Sequence, residues 1–122
     1  MALESLNDGN FNAAINLGFP VLVLVTEPNP FGDTQILPFI QRLVERYGEA
    51  MAAYTFDPAD GLRTTALLRL RHSPIVLMFK EGKEEWRAKV WQRDIEAILQ
   101  RSIKETLWTI ALNSQYTWRV PT

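Results

Sequence analysis

Pro20-Val21-Leu22-Val23-Leu24-Val25 is apolar at every position. A strand with one wet face alternates, so a run that is apolar on both parities has both faces covered, as in the middle of an α/β sheet. Before it, Phe11, Ala14 and Ile15 lie close to one face of a short predicted helix, with Asn7 or Asp8 as its cap and Gly18 as its stop. After it comes a turn, Thr26-Glu27-Pro28-Asn29-Pro30-Phe31-Gly32-Asp33, in which Asn29 reads as an N-cap with proline at the first helical position. The next helix carries Ile36, Phe39, Ile40, Leu43, Val44 and Tyr47 at i, i+3, i+4, i+7 spacing. Pro38 inside it predicts a kink, and Gly48 ends it.

The remaining elements follow the same logic. Ala50 to Phe56 reads as a strand closed by the turn Asp57-Pro58-Ala59-Asp60-Gly61. A helix from Leu62 to about Leu70 is expected to turn Leu62, Ala66, Leu67 and Leu70 inward. Ile75-Val76-Leu77-Met78-Phe79 is another strand, and Lys80-Glu81-Gly82-Lys83 is a hairpin turn into Glu84 to Val90. The last helix carries Ile95, Ile98, Leu99 and Ile103, with a continuation through Leu107 and Ile110 left open. Asn113-Ser114-Gln115 then reads as an interruption, and Tyr116-Thr117-Trp118-Arg119-Val120 alternates like a strand. The order α-β-α-β-α-β-β-α predicts an α/β sandwich, with a mixed sheet, an antiparallel hairpin and helices on both faces.

Composition narrows the class. A chain of 122 residues fits one compact domain. Its 13 basic and 14 acidic side chains give no electrostatic footprint for nucleic acid. The longest apolar run, Phe19 to Val25, falls far short of the ~20 residues that span a bilayer. The first residues, Met1-Ala2-Leu3-Glu4-Ser5, lack the basic character of a secretory signal, so a cytoplasmic location is the expectation. The chain has no cysteine, hence no disulfide, Cys-ligated zinc or thiol chemistry of its own.

Three blocks together resemble the thioredoxin superfamily: Pro20 to Val25, like its central strand; Pro38, where its kinking helix proline lies; and Ser73-Pro74 with Ile75 to Phe79 and Lys80-Glu81-Gly82, like its cis-proline, strand and turn. The 36 positions from Pro38 to Pro74 match typical members, and Asp57 falls where many carry an Asp. The resemblance runs from about residue 7 to 103. It implies a thioredoxin-like three-layer sandwich over residues 1–103, followed by an aromatic-rich extension over 104–122.

The resemblance breaks at the chemistry. The family's Trp-Cys-Gly-Pro-Cys turn aligns with Asn29-Pro30-Phe31-Gly32-Asp33, so Pro30 and Asp33 replace the two cysteines. Thiol–disulfide exchange needs a thiolate, which neither residue supplies. Leu24 stands where active members keep a buried acid. The expectation is a redox-inactive protein that is not an enzyme and needs no cofactor or metal.

A groove without chemistry still offers a surface. By the resemblance, Ser73 before a cis Pro74 would present its backbone to an extended polypeptide. Pro30 and Phe31 would line the adjoining turn, and Asp33 would sit in the first turn of the helix, favoured by its dipole. His72 completes this candidate partner-binding set. A Ser-His-Asp triad from Ser73, His72 and Asp33 is rejected, because neighbouring side chains in an extended segment point apart. Arg63, Arg69 and Arg71 form a basic cluster that reads either as a solvated face or as a contact for an acidic segment. Glu81, Glu84 and Glu85 nearby argue against nucleic acid.

The extension holds Trp108, Tyr116 and Trp118, and such aromatic enrichment implies that something buries them. The parent domain, a second copy in a homodimer or a larger partner would each serve, with Trp86 and Trp91 as the receiving patch. The resulting expectation is a protein-interaction, assembly or chaperone-type factor that recognises a client polypeptide noncovalently. Two alternatives stand beside it. One is a glutathione-binding transferase-like enzyme, although the 19 residues after Ile103 cannot make that family's second domain. The other is a structural subunit docking through its tail alone.

Overall fold

The computed structural model describes residues 3–26, 36–70, 75–89 and 94–119, with backbone alone for residues 49 and 109–119. Nine elements follow in the order β1 (Glu4–Leu6), α1 (Phe11–Ile15), β2 (Val21–Val25), α2 (Ile36–Tyr47), β3 (Ala52–Phe56), α3 (Leu62–Leu67), β4 (Ile75–Lys80), β5 (Lys83–Lys89) and α4 (Ile95–Arg119). Short 3₁₀ turns, Gly48–Ala50 and Pro58–Asp60, flank β3. The fold is mixed α/β.

The five strands form one sheet in the order β1-β3-β2-β4-β5. β3 pairs in parallel with both β1 and β2, whereas β4 is antiparallel to β2 and to β5. The all-apolar run sits at the centre, and all five residues of β2 are fully buried. Strand alternation divides them. Leu22 and Leu24 join Val76 and Met78 under α2 and α4, meeting Ile36, Phe39, Ile40, Leu43, Leu99 and Ile103. Val21, Val23 and Val25 join Phe56, Leu77 and Phe79 on the other face, covered by Phe11, Ala14 and Ile15 of α1. At roughly 1.5–3 kcal/mol for each large side chain buried, these two layers are the main source of stability. The α2 stripe lies inside as read, while Pro38 faces solvent in the first described turn.

Three readings are corrected and one element is added. Glu4–Leu6, to which the sequence pattern assigns no element, is an edge strand in register with Tyr54 to Phe56. Three residues carry no periodicity, and pairing with β3, helped by a Ser5–Thr55 hydroxyl contact of 3.0 Å, makes the strand. Asp8 does not cap α1. Asn7 and Asn10 instead hydrogen-bond reciprocally, each side-chain oxygen accepting from the other's backbone N–H at 3.2 and 2.7 Å.

Helix α3 ends at Leu67 and exposes Leu62 (75%) and Leu67 (73%), with Ala66 also outside and Thr64 buried. Capping from Asp8 and the Thr65 hydroxyl bonds to the Pro58 and Gly61 carbonyls set its rotation, and these polar contacts override the leucine spacing. The last helix is not interrupted at Asn113. α4 continues through Arg119, with no strand at Tyr116. Asn, Ser and Gln each cost at most about 0.7 kcal/mol in a helix interior, too little to stop one already propagating. Residue 103 therefore lies within a continuous 25-residue helix.

Two glycines have steric reasons. Glu81 and Gly82 both have positive φ (+51° and +81°), the pattern of a two-residue hairpin turn, and Gly82 N–H donates to the Ile15 carbonyl at 2.9 Å. A Cβ on Gly61 would stand 2.6 Å from the Phe56 ring. That approach lets the loop after β3 close over the core.

Candidate functional site

Val25 and Ile75 are register partners on β2 and β4. The chain leaves β2 through Thr26 and enters β4 at Ile75, so segments 27–35 and 71–74 attach to adjacent strand ends at one end of the sheet. Thr26 N–H donates to the Phe56 carbonyl at 2.9 Å, fastening the first departing residue to β3. Pro30, Phe31, Asp33, His72, Ser73 and Pro74 lie outside the described residues, as do the Ser73–Pro74 peptide bond, Arg71 and Trp91. Leu24, one residue inside this end, is fully buried among aliphatic side chains and methionines.

Among the described residues, Asp8 and Arg87 serve the scaffold. Asp8 Oδ1 accepts from Thr64 N–H at 2.8 Å and Oδ2 from Arg63 N–H at 3.2 Å, closing the amino-terminal turn of α3. Hydrogen bonding from Thr64, through its side chain first and its backbone second, holds the Asp8 carboxyl below the ordinary aspartate range. At the other end of α3, Arg87 Nη2 donates to the Leu68 carbonyl at 3.1 Å. The same guanidinium grips both Glu84 oxygens at 2.6 Å, and this bonding raises the Arg87 pKa. An anion at the start of the helix and a cation at its end both suit the helix dipole.

Between α1, α3 and the hairpin lies a depression of about 300 Å³ that includes Asp8, Arg63 and Glu84. Asp8 is engaged in capping and Glu84 in its ion pair. Among the described residues no group of three or more His, Cys, Asp and Glu could hold a metal ion. No helix among them is long and apolar enough to cross a membrane.

The tail residues belong to α4. α4 packs on the sheet through Leu99 and Ile103, with Ile95, Ile98 and Leu107 partly buried. Trp86 receives it, donating from Nε1 to Thr106 Oγ1 at 3.1 Å. Trp108 is 65% exposed. Tyr116 and Trp118 follow on the same helix, eight and ten residues on, or about 12 and 15 Å along its axis.

The opposite end of the sheet, where Val21 faces Phe79, holds an open cleft of about 880 Å³. Phe19, Pro20, Tyr47, Leu107 and Trp108 supply its apolar lining. No contiguous motif marks this cleft, because Phe19 and Tyr47 each look like the end of a local pattern and only the fold brings them together.

No protein-family model matches this chain, and no curated protein matches it either.

Proposed function

We propose that this chain is a redox-inactive, thioredoxin-like domain that acts as a noncovalent protein-interaction, assembly or chaperone-type factor. One observation carries the proposal: the β1-β3-β2-β4-β5 sheet sends the segments bearing Phe31 and Ser73-Pro74 from adjacent strand ends, in a chain without cysteine. Two loops rooted side by side can border one groove, and a client in such a groove is held by backbone and apolar contacts rather than a mixed disulfide. A cytoplasmic location belongs to the same proposal.

The test uses the full chain as a suppressor of aggregation of a thermally unfolded client, beside an insulin-disulfide reduction assay. Suppression is expected, with disulfide reduction at background. Phe31→Ala and Pro74→Ala should abolish it while leaving circular dichroism unchanged. Retention on immobilised glutathione with transferase turnover would favour the enzyme reading instead. Full suppression by both groove variants, with loss only on removal of residues 114–122, would move the function to the tail.

A further inference from the structure

The cleft at the Val21–Phe79 end has a charge pattern of its own. Arg46 in the last turn of α2, Lys80 at the end of β4 and Lys104 on α4 line it, against one carboxylate among the described side chains, Glu105. None of the three cations is in an ion pair among the described residues. Their apolar neighbours include exposed aromatics: Phe19 is 36% and Trp108 65% exposed. The Tyr47 hydroxyl, sealed from solvent in the cleft wall, has no hydrogen-bond partner among the described residues.

The strands under the cleft restrict what can bind. β2 is paired with β3 and β4, and β4 with β2 and β5, so both are central and neither has a free edge. An extended segment would find no backbone partners there. A helix satisfies its own backbone and needs only an apolar ridge to lay into the cleft. Cations on three separate elements suit several carboxylates spread along such a ridge, rather than the single headgroup of a small amphiphile.

From these features we propose that the cleft binds an amphipathic α-helix of a partner protein, with its apolar ridge on Phe19, Tyr47, Leu107 and Trp108 and its flanking Asp and Glu side chains facing Arg46, Lys80 and Lys104. The chain's own tail does not fit this description, because residues 109–122 contain no acidic side chain and add Arg119. α3, whose Leu62 and Leu67 are exposed, carries Arg63 between them and would be repelled. This site lies at the end of the sheet opposite the proposed groove, and its occupancy is independent of that reading.

The test titrates the full chain into a fluorescein-labelled helical peptide with leucines at i, i+3, i+4 and i+7 and glutamates on both flanks. A twin peptide carries lysines in place of the glutamates. The acidic peptide is expected to bind at least ~10-fold more tightly than its basic twin, with affinity falling as salt is raised. The triple variant R46E/K80E/K104E should invert that preference, and Trp108→Ala should weaken the acidic peptide by ~10-fold or more. Arg46, Lys104 and Trp108 are exposed and Lys80 is half-buried at the end of its strand, and circular dichroism verifies that the variants remain folded. Equal affinity for the two peptides, or an unchanged preference in the triple variant, would overturn the proposal. So would a concentration-dependent dimer dissolved by Trp108→Glu, or laurate binding by a chain that ignores the acidic peptide.

Discussion

The two ends of the sheet differ in kind. At the Val25–Ile75 end the chain departs into two segments that the sequence marks with prolines, an aromatic and the sole histidine. At the Val21–Phe79 end it turns back tightly through Glu81-Gly82, and the cleft there is lined by α2, α4, the end of β4 and the loop that enters β2. The first kind of surface follows from connectivity and is legible as local motifs. The second depends on where separate elements end in space, so no contiguous stretch of sequence announces it.

Phe11 links the ends. Its ring meets Phe56, beside the Val25 end, at 5.3 Å and Phe79, beside the Val21 end, at 5.7 Å, both edge-on. Phe11→Ala is expected to have the largest effect, a loss of about 3–5 kcal/mol in urea unfolding with both ends melting together. A loss below ~1 kcal/mol, or two separate transitions, would show that the ends are energetically independent.

A smaller effect is expected at Asp8, which serves only the Val25 end. Asp8→Ala should lower Tm by a few degrees, and Asp8→Asn by less, because its amide oxygen still accepts from α3. The Asp8 pKa is depressed in the fold, so its contribution is present above the ordinary aspartate value of 3.8 and is lost as pH falls through the folded pKa. Acid titration of native and Asp8→Asn chains should therefore converge at low pH; a constant gap would remove the carboxylate from the account. The smallest effect belongs to the Val21 end. Trp108→Ala should change stability by less than ~0.5 kcal/mol, which separates any binding defect from misfolding.

Much of this architecture was readable from the chain. The runs Val21 to Val25 and Ile75 to Phe79 announced covered strands, and the α2 stripe and the Glu81-Gly82 hairpin followed from periodicity and turn chemistry. What escaped depends on distant partners. Glu4–Leu6 is too short to show alternation and exists through β3. The inward face of α3 follows Asp8 and Thr64 rather than its leucines. The end of α4 contains residues that disfavour helix but none that break it before Pro121, so an apparent alternation at Tyr116 to Val120 was misleading. Of the nine candidate site residues, Trp108 is the one whose side chain is described, and it lines the cleft at the Val21–Phe79 end.

The capping of α3 from Asp8 also bears on the order in which the chain acquires its structure. Six residues are too few to nucleate a lasting helix unaided, and the caps come from a position 56 residues earlier and from a guanidinium beyond it in the chain. α3 should therefore consolidate after the folding transition state, once both ends of the sheet have docked. Asp8→Ala is then expected to accelerate unfolding and leave the refolding rate nearly unchanged, a φ-value near zero. A matching slowdown of refolding would place this helix in the nucleus.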